Sequence, residues 1–145
     1  MDQNFYQAWF SGFQTAIDKL DTPSRETLLQ ECAKKCADTG IHQIYRDHYE
    51  NVGRDRDSFY ARLSEISGVS GEIIVSGQEY CVVFPACTCD LHTTAGVNSP
   101  NLCECSRQSI IYIAKSIWGD VPLTVETIET ILSGAKECRF KIAFE

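Results

Sequence analysis

No basic stripe runs through this sequence. Its 13 Lys and Arg are scattered and outweighed by 20 Asp and Glu, leaving a net charge of −7. Binding to DNA or RNA is driven by clustered cations that neutralise phosphates, so nucleic acid is not an expected partner. Anionic membrane surfaces are disfavoured on the same ground. Long apolar runs are missing too: nothing approaches the roughly 18 consecutive apolar residues that a membrane-spanning helix needs. The first twenty residues hold Asp2 and Asp18 and lack a basic start followed by an apolar block, which is not the pattern of a secretory signal. The expected location is the cytoplasm. There is no Gly-rich phosphate loop, no paired-histidine zinc-protease motif and no Gly-x-Ser-x-Gly elbow. Internal repeats, low-complexity tracts and an inter-domain linker are also lacking.

What remains is a chain of 145 residues, the size of one domain, expected to span 1–145. A domain of that size buries enough surface to stay folded without disulfides. It nevertheless carries eight cysteines. Without an export signal these read as reduced thiols, and clusters of reduced thiols point to metal binding or catalysis more than to a disulfide framework.

Residues 1–68 read as helical. Phe5, Trp9, Phe13, Ile17 and Leu20 recur at helical spacing and predict an amphipathic helix over 1–20 whose aromatic face packs into the core. Thr22 and Pro23 suit a helix start, with Thr22 as the cap, and Gly40 a stop. Leu28, Leu29, Cys32 and Cys36 share one face of that second helix. A third helix is expected over about 41–50 and a fourth over about 57–67, ended by Gly68. Over residues 72–145 the pattern changes. Ile73 to Val75 and Tyr80 to Phe84 flank the turn pair Ser76-Gly77 and predict a hairpin that Pro85 terminates. Residues 86–102 read as loop, and Cys103 to Trp118 as a helix with Ile110, Ile113, Ala114 and Ile117 on one face. Near-alternation from Val121 to Leu132 and clean alternation from Cys138 to Phe144 predict a second strand pair, joined at Ser133-Gly134. The fold class is therefore α+β: N-terminal helices packed on a small, mostly antiparallel sheet, with one helix inserted between two hairpins.

The most informative pattern is Cys87-Thr88-Cys89, thirteen residues, then Cys103-Glu104-Cys105, with Cys32 and Cys36 four apart on a helix. In extended chain, residues i and i+2 point the same way, so each Cys-x-Cys unit can aim two thiols at one ion. Zinc takes four thiolates, and iron–sulfur clusters use four cysteines as well. If Cys105 is already helical it turns away from Cys103, and Cys32 and Cys36, on one helix face, are available instead. Zinc is the preferred reading and a cluster the second. Two others stay open: separately buried inert thiols, which suits Cys81 and Cys138 in their apolar strands, and a disulfide or redox pair. Cys89 with His92 is a conceivable catalytic pair, since a neighbouring base generates thiolate; a solvated loop histidine is the blander account of His92. His42 and His48 read as surface or boundary residues. A ligand pocket is expected between the helices and the sheet, with Phe13, Tyr45, Tyr80 and Trp118 as wall residues.

The stretch Cys103-Glu104-Cys105-Ser106, an Ile-rich helix, Gly119-Asp120-Val121-Pro122, a strand, and Gly134-x-x-x-Cys138-x-Phe140-x-Ile142 resembles the C-terminal part of two related groups. These are the 4-vinyl reductase-like small-molecule-binding domains and the L-2-amino-thiazoline-4-carboxylic acid hydrolase-like proteins. The likeness covers about 80–144. It implies an α+β ligand-binding domain, a sensor or accessory module, with zinc on cysteines among Cys87, Cys89, Cys103, Cys105 and Cys138. The second group implies a small hydrolase acting through zinc-bound water or a cysteine nucleophile. The expectation is thus a small-molecule-binding domain with a cysteine-built metal site. The alternatives are that hydrolase and a structural module that forms homodimers through its aromatic N-terminal helix.

Overall fold

The computed structural model describes residues 3–145. Met1 and Asp2, part of the expected first helix, lie outside the described residues. Six α-helices and four strands are built among them: α1 (Gln3–Lys19), α2 (Thr22–Cys36), α3 (His42–Asn51), α4 (Arg56–Ala61), β1 (Ser70–Val75), β2 (Glu79–Phe84), α5 (Asp90–Thr93), α6 (Glu104–Trp118), β3 (Leu123–Glu129) and β4 (Cys138–Phe144). The class is α+β, as expected. No helix among the described residues is long and apolar enough to cross a membrane.

All four strands join one antiparallel sheet in the order β1-β2-β4-β3, so the two hairpins meet along β2 and β4. Tyr80 pairs with Ile142, Val82 with Phe140 and Phe84 with Cys138, and these residues form the face turned to the helices. The strict alternation of β4 follows from that one-sided burial: Cys138, Phe140, Ile142 and Phe144 are buried and the residues between them are half-exposed. The other face is charged. Arg139 bridges Glu72 of β1 at 2.5 Å and Glu137 at 2.7 Å, and Lys141 pairs with Glu79 at 3.5 Å. These charges shield Cys81, which lies on this outer face away from the core.

Several helix ends differ from expectation by a residue or two. The cap of α2 is Asp21, whose carboxylate accepts from Ser24 N–H at 2.8 Å, while Thr22 is already helical; a carboxylate serves the unpaired first-turn amides at least as well as a hydroxyl. Helix α2 passes into α3 through Ala37–Ile41, a wide turn in which Gly40 takes φ of 120°, a conformation that glycine tolerates and other residues resist. The fourth helix is shorter than expected and ends in a 3₁₀ turn at Leu63–Glu65. The expected loop over 86–102 contains α5 and the 3₁₀ turn Pro100–Cys103. The strand expected to reach Leu132 stops at Glu129, because Thr130 and Ser133 close a reciprocal capping box around Ile131–Ser133.

Two cores result. The larger joins α3, α4 and α6 to the inner face of the sheet, around Phe59, Tyr60, Tyr80, Phe140 and Ile142. The smaller holds α1 against the 91–102 segment through Ile17, Val97 and Leu102. Only the C-terminal half of the aromatic face of α1 is therefore core: Phe10 and Phe13 are half-buried, whereas Trp9 is 59% exposed and Phe5 47%. This corrects the expectation that the whole stripe packs inward: α1 meets the 91–102 segment through Phe10, Phe13 and Ile17, and Phe5 and Trp9 stay exposed.

Among the glycine positions, the closest approach is that of α4 to Gly71 of β1. A methyl group added at Gly71 would collide with the Tyr60 carbonyl and touch Leu63, whereas one at Gly12 in α1 meets nothing within 4 Å. Gly71→Ala is expected to destabilise by about 1–3 kcal/mol through overpacking. Gly12→Ala should instead stabilise by about 0.5–1 kcal/mol, by removing a mid-helix glycine. Paired urea melts check this; a wild-type midpoint for the Gly71 variant would mean that α4 does not rest on the strand.

Candidate functional site

The sheet and helices do not close on each other completely. Between them lies a cavity of about 580 Å³, within the range of small-molecule sites. Its floor is Val82, Phe84 and Cys138 from the sheet. One wall is the stripe Ser106, Ser109, Ile110, Ile113 and Ala114 of α6, residues three and four apart on one helix face. Tyr45, Phe59, Tyr60 and Trp118 form the aromatic end. Ala33, Cys32 and Cys36 of α2 and the segment Ala86–Leu91 frame the rest. The buried members lie toward the sheet and aromatic end, while Cys32, Cys36, Ala86, Thr88, Cys89 and Asp90 are exposed and mark the mouth.

Local sequence explains why these side chains arrive together. Pro85 follows β2 and turns the chain out of the ladder, carrying Cys87 and Cys89 over the cavity before α5 starts. Helix α6 is fixed at its N-terminal end by Arg107, which donates to Glu104 at 2.7 Å and to the Val125 carbonyl at 3.0 Å and pairs with Glu26 of α2 at 3.4 Å. At its other end Trp118 meets Phe144 at 5.2 Å and Phe59 at 5.2 Å, and Gly119 breaks the helix.

All six cysteines expected to form a site, Cys32, Cys36, Cys87, Cys89, Cys103 and Cys105, line this one cavity. Cys138 joins them, placed on the inner face by the register of β4, with its sulfur accepting from Ile131 N–H at 3.3 Å. All eight cysteines are free thiols. Burial pushes the Cys103 thiol up to about 11 and that of Cys105 to about 12, and the neighbouring thiols add to the shift: Cys89, Cys36 and Cys32 act on Cys105, and Cys138, Cys87 and Cys89 on Cys103. Cys89 is raised by burial against the opposing pull of the Leu91 and His92 amides. At Cys89, Cys103, Cys105 and Cys138, burial thus favours the neutral thiol. A zinc tetrathiolate needs four sulfurs about 2.3 Å from one point. Among the described residues, no group of three or more His, Cys, Asp or Glu side chains is arranged to hold an ion. The thiols surround the cavity without forming a ligand sphere in this conformation.

Two of the four expected wall residues line the cavity, Tyr45 and Trp118. Two do not. Phe13 packs in the small core beside Ile17, because α1 lies against the 91–102 segment and not over the sheet. Tyr80 is fully buried under Tyr60, their rings stacked at 4.3 Å, and its hydroxyl donates to Asp57 at 2.5 Å. That carboxylate also binds Ser76 and Gly77, so Tyr80 ties α4 to the turn of the first hairpin. His92 is also outside the cavity lining: its Nδ1 donates to the Val97 carbonyl at 2.7 Å and pins the loop after α5. Sequence reasoning missed Tyr60, Ser106 and Ser109. The helical spacing of Ser106 and Ser109 with Ile110 and Ile113 was a usable signal.

No family model matches the chain, and no curated protein matches its sequence. Among solved structures it is similar to a trafficking protein particle complex subunit 3 from Naegleria fowleri covalently bound to palmitic acid, with a TM-score of 0.47 and 12% identity, covering 99% of this chain and 92% of that one. A likeness at that level carries no functional argument.

The raised thiols predict a pH dependence. The unfolded chain releases these protons near the ordinary value of 9, and the folded one nearer 11 to 12. The stabilisation is therefore complete below about pH 8 and is lost as pH rises through about 9 to 12. The urea midpoint should fall over the accessible part of that window, and Cys105→Ala should flatten the fall. An unchanged slope in that variant would mean that Cys105 is not shielded from water.

Proposed function

We propose that this protein is a small-molecule-binding domain, a sensor or accessory module, whose ligand occupies the cavity between α6 and the sheet. The observation that carries the reading is the cavity itself: about 580 Å³, lined by aromatic and aliphatic side chains, with few polar groups, and open on one side. The resemblance of residues 80–144 to the 4-vinyl reductase-like group agrees with this use, since it implies a ligand-binding domain of α+β class. The hydrolase reading has less support. It needs a thiolate or an activated water, whereas among the described residues no Lys, Arg or His lines the cavity beside Cys89 to favour thiolate, and the His92 ring is engaged with Val97.

The environment-sensitive neutral dye Nile red should bind saturably with a blue shift. Ile110→Trp, which places an indole in the cavity, should abolish binding while leaving the far-ultraviolet circular dichroism unchanged. Unaltered dye binding in that variant would count against the cavity as the site.

Zinc on the cysteines is a separate proposal, supported by the seven thiols that line the one cavity. Holding an ion would require thiols now spread around the cavity to draw together and lose their protons. Protein purified without added metal should then contain one equivalent of zinc and be colourless. An iron-derived visible band would favour a cluster, and metal-free protein with freely titrating thiols would leave the cavity reading standing alone.

A further inference from the structure

The polar groups of the cavity are few, and their kinds restrict what can enter. Neither Lys, Arg nor His lines it among the described residues, and its one ionisable carboxyl group is Asp90 at the mouth. An anionic ligand would have to give up its hydration with no cation to receive it, which is prohibitive in an apolar site. A cationic ligand would find one exposed carboxylate, at the mouth, and no other in the lining among the described residues. The residue pattern therefore fits an uncharged ligand.

The aromatic end carries two further features. Tyr60 is only 2% exposed, and neither its hydroxyl nor that of Tyr45 makes a hydrogen bond to a described residue. Burial alone accounts for the rise of Tyr45 to about 12, and burial is also the largest cause of the rise at Tyr60. Beside them the indole N–H of Trp118 is buried with no partner, its ring 6.0 Å from that of Tyr60. Buried polar groups are normally paired, and each one left without a partner costs about 1–3 kcal/mol. The Trp118 N–H is sealed from the cavity, whereas the two tyrosine hydroxyls at the same end of an otherwise apolar lining have no hydrogen-bond partner among the described residues and are open to an acceptor that a ligand would supply.

We propose that the cavity selects an uncharged, mainly apolar molecule and reads its one hydrogen-bond acceptor, a carbonyl or ether oxygen, with the hydroxyls of Tyr45 and Tyr60. This rests on the cavity being the binding site. It separates the protein from a hydrolase of amino-thiazoline carboxylates, whose substrate carries a carboxyl group that this cavity has no cation to meet.

A naphthalene series of similar size tests it by displacement of bound Nile red from the whole protein. Methyl naphthyl ketone offers a carbonyl, isopropylnaphthalene replaces it by hydrocarbon, and naphthoate places a negative charge at the same position. The ketone should bind roughly five- to tenfold more tightly than the hydrocarbon, the worth of about one net hydrogen bond, and naphthoate should fail to displace the dye. Tyr60→Phe and Tyr45→Phe should each reduce the ketone's advantage and leave isopropylnaphthalene unchanged, which also shows that each variant is folded. Equal binding of naphthoate and ketone, or a full ketone advantage in both variants, would overturn the selection while the cavity reading stands. If Nile red itself does not bind wild-type protein, both readings fall.

Discussion

The stack of rings between α6 and the sheet sets the depth of everything else. Tyr60 from α4 lies flat on Tyr80 of β2, and Trp118 lies nearly parallel over Tyr60 at the end of α6. Three aromatic layers thus hold the C-terminal end of α6 away from the strands. Gly71 makes the arrangement possible, because only a residue without a side chain lets the backbone of α4 come down on β1. Arg56 closes the outer side of the stack, its guanidinium 3.9 Å from the Phe144 ring centre and 5.3 Å from that of Trp118. Further along α6, where Ile110, Ile113 and Ala114 take the place of aromatic rings, the same separation leaves open space.

The thiols are best understood through the dielectric they sit in. Each has a raised pKa with burial as its largest cause wherever a shift is resolved, from Cys81 on the outer face to Cys105 at the cavity. Among the described residues, no cation lines the cavity to favour thiolate, as activation of a nucleophilic cysteine requires. Their chemistry at neutral pH is accordingly that of small, polarisable, weakly polar wall groups, which suits apolar contact with a ligand. Only a soft metal ion would reverse this, by supplying the positive charge that the protein does not.

Sequence periodicity revealed the architecture because each element buries one face. The alternation over Cys138–Phe144 and the isoleucine spacing in α6 read directly as a strand and a helix, and both hairpins were legible from their turn residues. The Cys-x-Cys units and Cys32 and Cys36 do border one cavity, but the four-thiol ligand set that their spacing suggested is not assembled among the described residues. The polar wall was harder to read. Tyr45 and Tyr80 look equivalent in a one-dimensional pattern, yet one lines the cavity and the other is sealed beneath Tyr60, and the difference comes from a pairing register and from Asp57, 23 positions away in the chain. Phe13 went astray for a similar reason: a helical stripe shows that a face is buried without showing against what. Tyr60 carries no local signal at all, because its importance arises from the hydrogen bond it does not make.

A sealed empty space of this size could not be carried by so small a fold. At about 24 cal/mol per Å³, a void of 580 Å³ would cost on the order of 14 kcal/mol, which rivals the entire stability of a typical domain. The cavity is tolerable because it opens between α2 and the 86–90 segment, where the exposed thiols, Thr88 and Asp90 admit water. Water makes poor use of the inner half, where Val82, Ile113, Ala114 and Phe59 offer it nothing to bind. Under the proposed function, an apolar occupant would remove part of that cost. It would stabilise the folded state in proportion to the logarithm of its concentration above its dissociation constant, through the same α6-to-sheet spacing that the aromatic stack maintains.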